Sequence, residues 1–333
     1  MSEKTYTAYS KRYNDIITYR QCGKSGLKFP LISLGLWHNF GDVDNQVEAV
    51  RMLRYAFDCG ITHFDLANNY GQPFGSAERN FGKMIQSDFS AYRDELIIST
   101  KAGHEMWPGP YGDGGSRKYL MASIDQSLQR MNLGYVDIFY SHRYDPNTPL
   151  EETMGALSDI VKQGKALYVG ISKYPEDKAR EAYKILEENG TPCLVYQGKY
   201  NILSREVEYT TFPTAQKNGI GFIGFSPLAQ GMLSNKYLHG IPENSRAALS
   251  HGFLQTNQIT PEIIAQISQL NEIAVNRGQT LAQMALAWCF HLQAVNSVIV
   301  GASSVKQLQD NINALKNLEF SAEELWKIGE IAR

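Results

Sequence analysis

The chain has 333 residues, 43% of them hydrophobic and 20% charged, with a formal net charge of −2. These are the proportions of a folded globular protein, and no apolar run reaches the ~20 residues that a membrane-spanning helix needs, which argues against disorder and against a membrane-embedded chain. The near-neutral balance leaves no basic field for nucleic acid or an acidic membrane surface, so small molecules and copies of the chain itself are the expected partners.

The opening stretch MSEKTYTAYSKRYND is polar and lacks the apolar centre of a signal peptide, which predicts an unexported, cytoplasmic protein. Next, Gln21 to Phe29, with Gly23 and Gly26 inside it, reads as a hairpin. Short, almost wholly apolar segments follow at 31–36, 62–66, 96–100, 136–141, 167–171, 194–197, 221–225 and 297–300. Continuous rather than alternating apolarity marks strands covered on both faces, hence a parallel sheet. Helical patterns lie between them. Val47, Val50, Leu53 and Phe57 recur at spacings of three and four as one apolar stripe. Thr148-Pro149-Leu150-Glu151 offers a threonine cap with proline at the first helical position, and Thr260-Pro261-Glu262 repeats the device. Ser321 with Glu324 is a capping box that opens a terminal helix with no strand after it. The four cysteines, Cys22, Cys59, Cys193 and Cys289, are widely spaced, so neither a disulfide framework nor a metal site is expected.

Eight strands alternating with helices fit a closed (β/α)8 TIM barrel or a doubly wound open sheet. An open dinucleotide-binding sheet should carry G-x-G-x-x-G after its first strand, whereas 31–36 runs into Trp37, His38 and Asn39. The glycine-rich stretch 109–115 follows the third strand and reads as a mobile loop. The expectation is therefore an α/β barrel forming a single domain over 1–333, its floor closed by the N-terminal hairpin, with an extra C-terminal helix. The loops 102–117 and 229–258 exceed a minimal barrel, and such connections on the C-terminal side of strands are where barrel enzymes hold ligands.

Polar residues gather at consecutive strand ends: Asp65 and Tyr70 after the second, Lys101 at the third, His142 and Arg143 at the fourth. A lysine buried at a strand end needs a counter-charge, and Asp65 is one strand away. A tyrosine beside that ammonium should have its phenolate favoured and its pKa lowered, which would make Tyr70 a general acid, with His142 orienting a carbonyl oxygen. Singly, each residue is more often a cap, a packing group or a bystander. Their arrival on three successive strands makes the chemical reading harder to dismiss and leaves the two readings evenly balanced.

The strings FDLANNYG, STKAG and YSHRYDPNTPLEET resemble the catalytic segments of the aldo-keto reductase superfamily, and VGISKY, QGKYN, GFSPLAQGML and VIVGASSVKQLQDN resemble its cofactor-binding segments, in family order over nearly the whole chain. The resemblance is nearest to the branch containing bacterial glyceraldehyde 3-phosphate or methylglyoxal reductases and potassium-channel β subunits. It implies a catalytic tetrad of Asp65, Tyr70, Lys101 and His142, and NADPH as cofactor. It places Trp37, Asp65 and Phe225 around the nicotinamide, with Ser172 and Gln197 on its carboxamide. Ser226, Leu228, Gln230, Gly231, Lys236 and Arg246 would clamp the pyrophosphate and adenosine. Gly301, Ser303, Gln307, Asp310 and Asn311 would hold the adenosine end, where a helix N-terminus favours phosphate.

Two features depart from that pattern. Lys173 stands where many members carry Asn, and Ser303-Ser304 with Gln307 replaces basic residues that others place against the 2′-phosphate, leaving Lys236 and Arg246 as the candidate charges. His104, Trp107, Tyr111, Arg143 and Tyr144 should border the mouth, and Arg143 is equally open to an anionic ligand or to solvent. The substrates implied are small aldehydes or ketones such as methylglyoxal or a triose phosphate, and the assemblies implied are homo-tetramers or homo-octamers. Two other functions are weighed. Lys101 as a Schiff-base nucleophile would leave Trp37, Phe225 and the 301–311 loop without a role. A redox-sensing subunit holding NADPH for a channel is the alternative, opposed by His142, where the channel β subunits tend to carry Asn.

Overall fold

The computed structural model describes residues 6–14, 17–238 and 259–332. Its first paired residues are the expected hairpin, β1 (Tyr19–Gln21) antiparallel to β2 (Lys28–Pro30). Every apolar segment singled out above then overlaps a strand: β3 (Ile32–Gly35), β4 (His63–Asp65), β5 (Ile97–Ala102), β6 (Val136–Ser141), β7 (Ala166–Ser172), β8 (Val195–Lys199), β9 (Gly221–Phe225) and β10 (Val295–Val300). Each runs parallel to the next, and β10 closes on β3 to complete an eight-stranded barrel. Helices α1 (Gln46–Asp58), α2 (Ser76–Met84), α3 (Arg117–Met131), α4 (Leu150–Lys162), α5 (Glu176–Glu188) and α6 (Thr211–Asn218) lie between successive strands up to β9. Both α7 (Pro261–Asn276) and α8 (Leu281–Trp288) precede β10, and α9 (Val305–Ile312) and α10 (Ala322–Ile331) follow it.

The two-residue period of a strand divides the core in two. Leu34, Phe64, Ile98, Phe139, Val169, Phe222 and Val298 face outward into one buried cluster with the helices. Ile97, Ile138, Tyr140, Val195, Ile223 and Ile299 point inward and pack with Cys22 and Phe29 of the hairpin, so the lower barrel is filled and sealed. Arg20 anchors that seal by donating to the carbonyls of Phe290 (3.1 Å), Leu292 (3.2 Å) and Val295 (2.7 Å). With the floor closed, the C-terminal ends of the strands are left as the open mouth. All four cysteines are buried free thiols.

Two helix readings need correction. In α1 the buried face is Ala49, Met52, Leu53, Ala56 and Phe57, and Val47 is 71% exposed. Val47 sits in the first turn, just after the Asn45 cap that accepts from its N–H. For α4, the cap position is Pro149 in an extended conformation, and the Thr148 hydroxyl is taken by the Asp145 carboxylate at 2.7 Å, so the helix begins one residue later than read and without a side-chain cap. Thr260 and Ser321 cap α7 and α10 as expected.

One close approach is fixed by a glycine. A Cβ on Gly170 of β7 would stand 2.5 Å from the Tyr140 ring and 2.8 Å from the Val195 carbonyl oxygen. Gly170→Ala is expected to destabilise the fold by about 1–3 kcal/mol through overpacking of the barrel interior, read as a lower midpoint in urea unfolding with unchanged slope.

Candidate active site

At the mouth, Asp65 ends β4 and Lys101 lies near the end of β5. The parallel register pairs Asp65 with Ser99, which sets Lys101 one inward step higher. Its ammonium donates to Asp65 Oδ2 at 2.5 Å and to the Leu66 carbonyl at 2.6 Å. The other carboxylate oxygen accepts from Ser99 Oγ at 2.7 Å and Gln197 Nε2 at 3.1 Å. Both charged side chains are essentially closed to solvent, at 0% and 3% exposure. Burying an ion pair is costly unless its remaining polar atoms are also hydrogen-bonded, and here they are. Burial pulls the Lys101 pKa down, and the field of Asp65 opposes that fall.

Tyr70 stands in the turn between β4 and α2. Its carbonyl accepts from Gly75 and Ala77 N–H at 3.2 Å each, which ties the turn to the helix start. The ring centroid is 5.0 Å from Lys101 Nζ, stacks on Trp37 at 6.1 Å, and meets the His142 ring edge-on at 6.0 Å. His142 directly follows β6, its N–H bonded to the Ala102 carbonyl at 2.9 Å. The structure therefore brings Asp65, Tyr70, Lys101 and His142 into one patch.

The expected electrostatics of Tyr70 need correction. Its pKa lies well above the usual tyrosine value, first because the ring is buried and second because Asp65 disfavours a phenolate. His142 is held well below the ordinary histidine range, by burial and then by Lys101 and Lys173, which keeps it a neutral imidazole. Its Nδ1 is buried and has no partner among the described residues.

The groups expected to hold a cofactor line the β7–β10 side. Ser172, last in β7, is in register with Gln197 of β8, and its Oγ is buried without a partner. Phe225 ends β9, and the Lys173 ammonium stands 5.6 Å from its ring centroid. Beyond it the backbone takes left-handed turns at Ser226 (φ 54°), Ala229 (φ 46°), Gln230 (φ 60°) and Gly231 (φ 100°). Non-glycine residues held there are uncommon and cluster where backbone is shaped around a ligand. Leu228 is half-buried and Lys236 exposed in a short turn; Arg246 lies outside the described residues. Gly301, Ser303 and Asp310 are exposed, and Asn311 is buried with its Nδ2 unpartnered.

The start of α9 differs from expectation as a phosphate seat. Ser304 caps it, Gln307 accepts from the Ser303 N–H at 2.8 Å, and the Glu48 carboxylate occupies the Val305 N–H at 2.9 Å. A carboxylate already fills the position where a helix N-terminus favours an anion.

Around the rim, Arg143 is engaged by Asp113 through two oxygens at 2.8 and 2.9 Å and by the Gly103 carbonyl at 2.7 Å. The glycine-rich loop is thereby tied down, with Gly115 N–H also donating to Asp145 at 2.8 Å. Trp107 packs on Tyr119, Tyr144 on Tyr174, and Tyr111 is exposed. Lys173 is an exposed residue whose ammonium lies 3.4 Å from His104 Nε2; local desolvation there, with Lys101 and Arg143, lowers the lysine pKa to about 8. Sequence reasoning missed Ser99 and His63. Both are polar residues two positions before a site residue in a buried strand, and period two on the inward face is the signal that would have found them.

A sequence profile of the Aldo/keto reductase family matches residues 31–333. Over 332 residues the chain is 55% identical to L-glyceraldehyde 3-phosphate reductase of Escherichia coli O157:H7, an alignment covering 98% of this chain and 95% of the relative. Identity to the protein of the same name from strain K12 is 54% with the same coverage. A protein of Arabidopsis thaliana named "Probable voltage-gated potassium channel subunit beta" is 37% identical over 303 residues, 89% of this chain and 90% of that one.

Lys101→Met removes the only partner charge of Asp65 among the described ion pairs. It is expected to cost about 3–5 kcal/mol of folding stability, and adding Asp65→Asn should recover much of that loss, both read from urea unfolding.

Proposed function

The chain belongs to the aldo/keto reductase family, and on that premise we propose that it reduces small aldehydes, such as methylglyoxal or glyceraldehyde 3-phosphate, to alcohols, with NADPH as hydride source and Tyr70 as the acid. The observation that carries this reading is the placement of the Tyr70 ring at the mouth, 5.0 Å from the ammonium of the buried Lys101–Asp65 pair and edge-on to His142. A nicotinamide cofactor fits the unpartnered Oγ of Ser172 beside Gln197, and bound there it supplies hydride. Every other task falls to side chains of the chain. The neutral imidazole of His142 holds the carbonyl oxygen toward Tyr70. The Tyr70 hydroxyl gives its proton to that oxygen as negative charge develops on it. The Lys101 ammonium, kept charged by Asp65, then faces the phenolate left behind. Trp37 and Phe225 shield the site from water, within which reacting atoms must approach to roughly 3–3.5 Å.

A channel-associated sensor would bind the cofactor without turning it over. His142 favours chemistry over that role. Tyr70→Phe is expected to lower turnover of methylglyoxal and glyceraldehyde 3-phosphate by on the order of 10²-fold or more while cofactor affinity is kept. Near-normal turnover in the variant would sink the assignment, and NADPH binding without turnover in the parent protein would favour the sensor. Lys236→Ala should weaken NADPH several-fold and leave NADH unchanged in equilibrium titration, if Lys236 meets the 2′-phosphate.

A further inference from the structure

Below the Lys101–Asp65 pair, a row of buried polar side chains crosses the barrel interior from β10 to β5. Ser297 Oγ lies 2.7 Å from Ser33 Oγ, Ser33 Oγ 2.8 Å from His63 Nδ1, His63 Nε2 2.9 Å from Ser99 Oγ, and Ser99 Oγ 2.7 Å from Asp65 Oδ1. Ser297, Ser33, His63 and Ser99 are all fully buried. The mechanism above uses none of them.

Proton counting fixes the direction of the row. The Asp65 carboxylate can only accept, so the single hydroxyl proton of Ser99 goes to it. Ser99 must then accept from His63, which places the ring proton on Nε2. Nδ1 of the neutral ring is left as an acceptor, so Ser33 donates to it and Ser297 donates to Ser33. The rival contact of Ser297 Oγ with the Leu31 carbonyl is longer, at 3.2 Å. Burial holds the His63 pKa at about 4, so the ring is neutral and this order persists through neutral pH.

We infer that His63 is a positioning residue for the reaction: by donating from Nε2 it commits the Ser99 proton to Asp65 Oδ1, and so fixes the carboxylate that holds Lys101 behind Tyr70. The opposite tautomer would draw the Ser99 proton to the ring and leave Asp65 one donor short in a dry interior. This rests on the reductase reading given above.

The test is a double-mutant cycle on aldehyde reduction with NADPH. Ser99→Ala is expected to lower kcat about 10-fold or more, the loss typical of a hydrogen bond to a buried charge, with KM and NADPH affinity unchanged. His63→Leu should lower kcat to a similar degree, and His63→Gln, whose amide can donate to Ser99 while accepting from Ser33, should regain most of it. Because His63 acts only through Ser99, His63→Leu should add nothing in the Ser99→Ala background. Additive losses, or equal activity of the Leu and Gln variants, would overturn the inference. Should His63→Leu not fold, Ser33→Ala takes its place in the same cycle, with the same non-additivity expected. Absence of turnover in the parent protein, or its indifference to Tyr70→Phe, would instead mark failure of the reductase reading.

Discussion

A lysine and an aspartate inside a closed barrel constrain everything else at the mouth. Taking two charges out of water costs more than their mutual attraction returns unless every lone pair and proton finds a partner. Here the carboxylate receives Lys101, Ser99 and Gln197, and the ammonium reaches a second acceptor in the Leu66 carbonyl. Burial is the first influence on their neighbours, with Asp65 acting second on Tyr70 and Lys101 second on His142. Tyr70 remains a phenol and His142 a neutral imidazole for the same physical reason.

The barrel makes that arrangement affordable by keeping the pair rigid. Its inward faces alternate with outward ones, so isoleucines and Tyr140 fill the lower interior while polar groups occupy the same strands nearer the mouth. The hairpin closes the lower end with Phe29, whose ring meets His63 edge-on at 4.9 Å. Asp65 and Lys101 are thus held on hydrogen-bonded strands, while Tyr70 is carried by the turn after β4 and His142 follows β6 directly. On the proposed cofactor side the loops do the shaping instead, through left-handed turns after β9 and unpartnered buried atoms on Ser172 and Asn311.

The rim is less permissive than its composition implies. Arg143 is spoken for by Asp113, whereas Lys173 has no carboxylate within ion-pairing distance among the described residues and is repelled by Lys101 and Arg143. A cation so placed beside His104 leaves the mouth locally positive.

Much of this was legible in the chain itself. Strands covered on both faces must be apolar throughout, so eight such runs, and the missing glycine fingerprint after the first, identified a parallel barrel without knowledge of contacts. That Asp65, Tyr70, Lys101 and His142 would stand near one another was suggested by their places at consecutive strand ends, and their roles were implied by the resemblance to aldo-keto reductases. Local signals failed where a competing partner intervened: Asp145 drew the Thr148 hydroxyl away from the α4 cap, and the first turn of α1 left Val47 outside the buried face. Only the tertiary structure decided the state of Tyr70. Burial first, and the Asp65 carboxylate second, raise its pKa, and both depend on which groups the folded barrel packs around the ring. The same holds for the row from Ser297 to Asp65, whose proton order arises from four strands meeting inside one barrel.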